Sequence, residues 1–235
     1  MIPGTRLVIL GKQGAGKGTQ CVRLSRHYVV PHISTGDMFR AAVRSGSEAG
    51  REAKTYMDAG ELIPDDVVIK VIQERLTQDD TVKRGFILDG FPRTVHQVDA
   101  LEDILAPRGI DMTIDLEVDT EVVLQRLASR RVCSDCGANY STDRPPKVNW
   151  TCDICGGEVV QRPDDTEAAI RRRLELYERE TAPLIAWYDA KSVLVTVDGM
   201  GTPDEVANRL IQVVEEWRGR GPGRVRRGPV RPYAL

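Results

Sequence analysis

Three groups of residues in this sequence combine type and spacing in ways that can do chemistry. The first is Gly11-Lys12-Gln13-Gly14-Ala15-Gly16-Lys17-Gly18-Thr19, directly after the apolar run Arg6-Leu7-Val8-Ile9-Leu10. Gly-x-x-x-x-Gly-Lys between a strand and a helix is the start of a phosphate-binding loop, in which backbone N–H groups and a helix N-terminus cradle the anion. Glycines let that backbone approach phosphate where side chains would clash. Lys17 would reach the β- and γ-phosphates. The hydroxyl that often follows the lysine arrives one place late, at Thr19, after Gly18.

The second group is Cys133, Cys136, Cys152 and Cys155, two Cys-x-x-Cys pairs separated by fifteen residues. That pattern suits tetrahedral thiolate coordination of Zn²⁺, and four protein ligands leave no position for substrate, so the metal is expected to be structural. A redox Cys-x-x-Cys would stand singly. Cys21 lies apart and reads as a small buried residue on a helix. The third group is arginines and aspartates spread over distant segments. Asp89 ends an apolar strand, where an unpaired carboxylate is costly. It either orients waters on Mg²⁺, which keeps several waters beside phosphate oxygens, or caps the helix after Thr94.

Beyond the phosphate loop, six further motifs follow in order: Ile33-Ser34-Thr35-Gly36-Asp37-Met38 with Arg40, Gly60-Glu61-Leu62-Ile63-Pro64-Asp65, Leu88-Asp89-Gly90-Phe91-Pro92-Arg93-Thr94, Arg130-Arg131, Arg162-Pro163-Asp164-Asp165 and Val197-Asp198-Gly199. Together with Gly16-Lys17-Gly18-Thr19-Gln20 they resemble adenylate kinases over residues 5–215, and the cysteine segment resembles the long, zinc-carrying lid of a bacterial subset of that family. The resemblance implies Mg²⁺-dependent phosphoryl transfer, ATP + AMP = 2 ADP, by a cytoplasmic monomer with no obligatory protein, nucleic-acid or membrane partner.

It also implies roles. ATP would lie over Gly14, Ala15, Gly16, Lys17, Gly18 and Thr19, with Arg126 stacked on its adenine and Asn139, Tyr140 and Gly201 closing the pocket. AMP would be held by Thr35, Arg40, the Glu61-Leu62-Ile63 backbone, Gly90, Phe91, Pro92, Arg93 and Gln97, whose amide can donate and accept side by side. Arg40 and Arg93 would grip its phosphate as planar forks. Lys17, Arg93, Arg130, Arg162, Arg173 and Asp89 would serve the transfer itself, Arg162 and Arg173 also touching AMP. Arg173 belongs to an Arg171-Arg172-Arg173 run on an acidic helix, where surface pairing alone could explain any of the three; its spacing from Arg162 favours function. Asp164 and Asp165 could cap a helix, brace lid arginines, or both. No general base is required, because the attacking phosphate oxygen is already ionised.

Other readings remain at this point: a kinase of UMP, CMP or GMP, a GTP:AMP phosphotransferase, or a P-loop switch carrying a zinc ribbon that binds nucleic acid. Gln97 and the long lid favour AMP. Few basic residues lie between the zinc ligands, which weighs against the last.

Elements must hold these groups in place. Short aliphatic runs at 6–10, 32–34, 85–89, 113–118 and 192–198 read as buried strands, alternating with helical segments at 16–27, 37–59 in two pieces, 65–78, 94–106, 120–130, 165–190 and 203–218. Pro183 is expected to kink or split the 165–190 helix. The expected fold is α/β: a P-loop NTPase-type, five-stranded parallel sheet flanked by helices. The core would comprise 1–33, 64–128 and 166–217, interrupted by a nucleoside-monophosphate insert at 34–63 and a zinc-stapled lid at 129–165.

The 235 residues have 41% apolar and 29% charged side chains, an ordinary globular balance. No run approaches the ~20 apolar residues of a membrane span, and the first residues lack signal-peptide features. Net charge is −2, yet six arginines and no acid follow from residue 218, which leaves −8 on the preceding residues. Residues 218–235, rich in Arg, Gly and Pro, read as a solvated, disordered tail.

Overall fold

The apolar run at 6–10 forms β1 (Thr5–Leu10), with Leu7, Val8, Ile9 and Leu10 all buried, as a central parallel strand requires. The computed structural model describes residues 5–162 and 164–220. β1 lies between β3 (Gly85–Asp89) and β4 (Met112–Glu117); β2 (His32–Ser34) flanks β3 and β8 (Leu194–Asp198) flanks β4. All pairings are parallel, in the order β2-β3-β1-β4-β8. The register places Ile9 opposite Asp89, so the phosphate loop leaves the sheet beside Asp89 and Gly90. A crevice beyond the carboxyl ends of parallel strands is where such sheets hold ligands.

Helices cover both faces. α1 (Lys17–Tyr28), α7 (Thr120–Ser129) and α10 (Pro203–Arg220) pack Leu24, Val123, Leu127, Leu210 and Val214 onto Leu7, Ile9 and Ile114. On the other face α4 (Asp65–Leu76), α6 (Val95–Leu105) and α9 (Pro183–Ala190) pack Ile72, Leu101, Leu184 and Tyr188 onto Val8, Phe86 and Leu88. Each such fully buried aliphatic or aromatic side chain contributes roughly 1.5–3 kcal/mol. This is the rigid frame against which the two excursions work.

The first excursion is α2 (Thr35–Arg44) and α3 (Glu48–Ala59), capped by Ser34 and Ser47, whose hydroxyls accept from the N–H groups of Asp37 and Gly50. The second is a three-stranded antiparallel sheet of β5 (Arg130–Cys133), β6 (Asn139–Ser141) and β7 (Val159–Val160) in the order β6-β5-β7. Strands of two to four residues are too short to leave a period in the sequence. A six-residue helix, α5 (Asp79–Arg84), was likewise not expected. Acids in its first turn and bases in its last complement the helix dipole.

Several expectations need correction or are settled. α8 (Glu167–Leu176) is capped by Thr166, whose hydroxyl accepts from Ala169 N–H, so Asp164 and Asp165 are released from capping. The same logic removes the capping alternative for Asp89: Thr94 accepts from Gln97 N–H at 3.2 Å. The predicted break at Pro183 is present, as a π-helical turn over Tyr177–Thr181 followed by α9 with proline in its first turn. Arg218 is not part of a loose tail: it lies on α10, 4.3 Å over the Tyr28 ring, with Nε donating to Thr5 Oγ1 at 3.1 Å. The tail expectation for 221–235 lies outside the described residues.

Candidate active site

At the carboxyl ends of β1 and β3 a cleft opens between the sheet, α2–α3 and the small antiparallel sheet. Its floor is the phosphate loop. Gly14 takes φ +85°, and a Cβ there would come within 2.9 Å of Leu127 and 3.0 Å of the Val123 carbonyl, so only glycine fits. α1 begins at Lys17 with its free N–H groups at the loop. Lys17 Nζ donates to the carbonyls of Gly11 (2.6 Å) and Lys12 (2.9 Å). Burial lowers its pKa, while Asp89 works to restore it. Arg126 spans the loop from the side, donating to Ala15 O (3.0 Å) and Gly199 O (3.2 Å).

The arginines expected from distant segments converge here. Arg130, the first residue of β5, grips Asp165 through Nε (2.7 Å) and Nη2, with the Asp165 side chain fully buried. Arg173, on α8, donates to Asp164 Oδ2 (2.7 Å) and Met57 O (2.8 Å). Arg40 pairs with Asp37 at 2.5 Å and stands 3.9 Å from Asp164. Arg93 donates through Nε to Gly90 O at 2.8 Å. The Gln13 carboxamide oxygen is assigned toward Arg173 Nη1 (3.0 Å) and Arg130 Nη2 (3.1 Å), since two donors surround it.

Arg162 differs from the rest. Its Nε is buried and finds no hydrogen-bond partner among the described residues. Burial, with Arg130 and Arg40 close by, pulls its pKa down to about 9. Burial and Arg173 pull Arg93 down to about 10. Burial opposes ionisation of Asp164, but Arg173 and Arg40 overcome it and hold the carboxyl below its usual value. Seven cations (Lys17, Arg40, Arg93, Arg126, Arg130, Arg162, Arg173) thus face five carboxylates (Asp37, Glu61, Asp89, Asp164, Asp165). The pocket is short of negative charge, which is the condition for holding an anion.

Of the residues predicted to form the site, most line this cleft, including Thr19, Thr35, Glu61, Leu62, Ile63, Asp89, Pro92, Asn139 and Tyr140. Ala15, Phe91 and Gly201 do not. Phe91 is 1% exposed and packs among Val8, Leu88 and Val98, because the residue before Pro92 turns into the core. Ala15 is likewise buried, contributing its carbonyl to Arg126. Gly201 sits at the foot of α10 with φ +102°, beside Glu205, away from the cleft lining. The edge of the Arg126 guanidinium is tied to two carbonyls, which fixes the orientation of its plane. Gln97 is 2% exposed, with Oε1 accepting from Arg93 N–H (2.8 Å) and Nε2 donating to Asp65 (2.7 Å). One N–H and one lone pair of its amide remain. Gln13, Asp37 and Thr181 also line the cleft without having been singled out. Asp37 stood within the Ser-Thr-Gly-Asp motif, and Gln13 occupied a variable loop position that carries no signal.

The four cysteines of the small sheet lie together, their Sγ atoms all within 4.8 Å of one another. Cys133–Cys155 and Cys136–Cys152 sulfurs are 3.5 and 3.6 Å apart, too far for disulfides and close to the roughly 3.8 Å edge of a tetrahedron with 2.3 Å metal–sulfur bonds. Tyr140 Oη and Ile154 N–H both donate to Cys152 Sγ, and the Tyr140 contact leads in drawing its thiol down to about 6. A hydrogen-bonded sulfur favours the thiolate, the form a metal requires. The donor set fits a closed thiolate site.

Comparison with known proteins agrees with this geometry. A sequence model described as adenylate kinase matches residues 9–193. Adenylate kinase of Thermodesulfovibrio yellowstonii is 49% identical over 90% of this chain and 99% of its own length. That of Geobacter sp. strain M21 is 51% identical over 88% and 98%, and that of Acidothermus cellulolyticus 48% over 90% and 99%. With a phosphate loop, converging arginines and this coverage, the chain belongs to the adenylate kinase family.

Proposed function

We propose that the protein catalyses reversible transfer of a phosphoryl group between ATP and AMP, giving two ADP, with its nucleotides meeting end to end in the cleft described above. The observation that carries this reading is Arg162 Nε, buried without a partner in a pocket whose cations outnumber its carboxylates. A donor held there unpaired costs stability and is tolerated where a ligand supplies the acceptor.

Phosphoryl transfer asks the protein for alignment, charge neutralisation and exclusion of water rather than covalent chemistry. The loop from Gly14 to Thr19 and Lys17 hold the donor phosphates. Lys17 exchanges the Gly11 and Lys12 carbonyls for a phosphate oxygen. Arg126, already fixed across the loop, offers the flat of its guanidinium to the donor base. Thr35, Arg40, Glu61, Leu62, Ile63, Gly90 and Arg93 form the acceptor side. Gln97, held in orientation by Asp65 and the Arg93 N–H, reads adenine with its remaining N–H and lone pair. Arg130, Arg162 and Arg173 face the transferred group, and Asp164, Asp165 and Gln13 keep them aimed before it arrives. Gly18, whose Cβ would stand 3.5 Å from Asp89 Oδ2, leaves room beside that carboxylate. Asp89 would hold the waters of a Mg²⁺ ion there, which would supply charge neutralisation at the phosphates.

Residues 129–165 act as a lid and 34–63 as the acceptor arm, each closing on the cleft; adenylate kinases are the standard example of such closure. The lid's own apolar core is little more than Cys133, Cys152 and Val159 with Ala138 and Tyr140. A core that thin needs a staple. Cys133, Cys136, Cys152 and Cys155 would hold Zn²⁺, which makes the lid one rigid body without entering the reaction. Among the described residues no helix is long and apolar enough to cross a membrane. The reading places the protein in the cytoplasm as a monomer acting on small molecules.

The test is ADP formation by purified protein from ATP, AMP and Mg²⁺, with CMP, UMP and GMP as alternative acceptors and GTP as alternative donor. AMP should exceed the other acceptors by at least tenfold in kcat/KM. No ADP formation, or equal turnover of CMP, would refute the assignment.

A further inference from the structure

Cys21 lies on α1, one turn beyond Lys17, and its side chain is fully buried. The catalytic reading gives it no task. Its sulfur, a ring nitrogen of His32 and a carboxylate oxygen of Asp89 all lie within 4.8 Å of one another. His32 Nε2 and Asp89 Oδ2 are 3.4 Å apart. Three elements, α1, β2 and β3, therefore deliver a thiol, an imidazole and a carboxylate to one point.

We infer that Cys21, His32 and Asp89 form a second metal site, which takes a thiophilic divalent cation of the Zn²⁺ class and is distinct from the four-cysteine site of the lid. With zinc–nitrogen and zinc–oxygen bonds of roughly 2.0–2.2 Å, the nitrogen–oxygen edge of a tetrahedron is about 3.4 Å, the separation found here. Three protein ligands leave a fourth position for water, the pattern of an open rather than a closed site. Neutral imidazole, carboxylate and thiolate together carry two negative charges, which a divalent cation neutralises. The thiol must release its proton on binding, a proton that burial and Asp89 make hard to remove in the metal-free protein. Hard cations such as Mg²⁺ have no use for a thiolate, so the trio discriminates by softness.

The charged groups facing the site are Lys17 and Asp37. Lys17 opposes a cation, but its ammonium is drawn to the Gly11 and Lys12 carbonyls; Asp37 favours one. His32 also borders a shallow pocket on the outer side, with Ser25, Val30 and Arg75, whereas Asp89 borders the catalytic cleft. The site bridges the two, so a cation can enter from the rear of the sheet. A consequence, which rests on the role proposed above for Asp89, is inhibition: a carboxylate bound to zinc is withdrawn from Mg²⁺ waters.

The experiment uses the full chain with its lid metal retained, equilibrated with a buffered excess of Zn²⁺ and analysed for metal per chain. About two zinc ions per chain are expected for the wild type, and about one for Cys21→Ala and for His32→Gln, whose folding is verified by thermal melting. In Co²⁺-exchanged protein, the thiolate-to-cobalt absorption should fall in Cys21→Ala by the share of that single sulfur. A wild type that binds only about one ion, or a second ion that survives both substitutions, overturns the proposal. Zinc should also depress Mg²⁺-dependent ADP formation by tenfold or more in the wild type and far less in Cys21→Ala at identical nucleotide. If the second ion binds and turnover is unchanged, the metal site stands and the role of Asp89 in orienting Mg²⁺ waters falls.

Discussion

Removing Arg162 should make the protein more stable and nearly inactive. Its guanidinium stays charged at neutral pH in both folded and unfolded chains, so the whole penalty implied by its depressed pKa is present there. Depression from 12.5 to about 9 corresponds to about 5 kcal/mol against the charged form at 1.36 kcal/mol per tenfold. That figure is already net of the attraction of Asp37 and Asp165, and solvent reaching the cleft screens much of it; a net gain of about 1–3 kcal/mol is expected for Arg162→Ala. For a chain of this size each kcal/mol raises Tm by roughly 2–4 °C. Turnover should fall in the opposite direction, by on the order of 10³ or more, since an arginine on the transferred group is worth 10³–10⁵. Scanning calorimetry of ligand-free protein and a coupled ADP assay on the same preparations test both signs. A variant whose Tm drops by several degrees, or whose kcat stays within tenfold of wild type, would refute the argument that this side chain is held against its own folding preference for an incoming phosphate.

Other predictions follow from the same geometry. Chelation of the lid metal, or Cys136→Ser, should lower Tm and abolish amide-exchange protection across residues 130–160 while β1, β3 and β4 stay protected, because the lid's apolar core cannot replace a zinc contribution of roughly 10–16 kcal/mol; unchanged protection would remove the staple argument. Burial and Glu117 push the Asp115 carboxyl up from 3.8 to about 6. The folded state therefore holds a proton that the unfolded state has lost, and stability falls as pH rises from about 4 through 6. Asp115→Asn should then add about 2–3 kcal/mol at pH 7.5 and almost nothing near pH 4, read by urea melts at both values; an equal gain at both would show the carboxyl is not the cause. Gln97→Ala should raise the KM for AMP on the order of tenfold and leave that for ATP unchanged, whereas parallel changes would mean a general loss of cleft shape.

The sequence was most legible where local physics decides alone. The Gly-rich loop after Leu10 announced its phosphate cradle because few other backbones need glycine at those places, and the buried strands showed as unbroken aliphatic runs. The cysteine spacing announced a metal staple, and Pro183 announced the break before α9. Contacts between distant segments left less trace. Asp164 and Asp165 could be read as helix caps, as braces for lid arginines, or as both, and the fold decides by bringing Arg40, Arg130 and Arg173 against them. Gln97 read as an amide with both its donor and its acceptor turned to adenine, whereas the turn after β3 and the start of α4 place the Arg93 N–H and Asp65 against it. Phe91 sat within a functional motif but serves the core, since turn geometry rather than motif membership decides which way a side chain points. The lid sheet left no period, its strands being shorter than one alternation cycle or two.

A crystal structure with a mimic that joins two adenosines through a chain of five phosphates bears most directly on the whole account. Arg93, Arg130 and Arg162 should each place a guanidinium nitrogen within hydrogen-bonding reach of phosphate oxygens, with Arg162 Nε satisfied at last and the loop N–H groups from Gly14 to Thr19 on the opposite side of the chain. A mimic seated elsewhere, or one that leaves these three side chains turned away from phosphate, would contradict it.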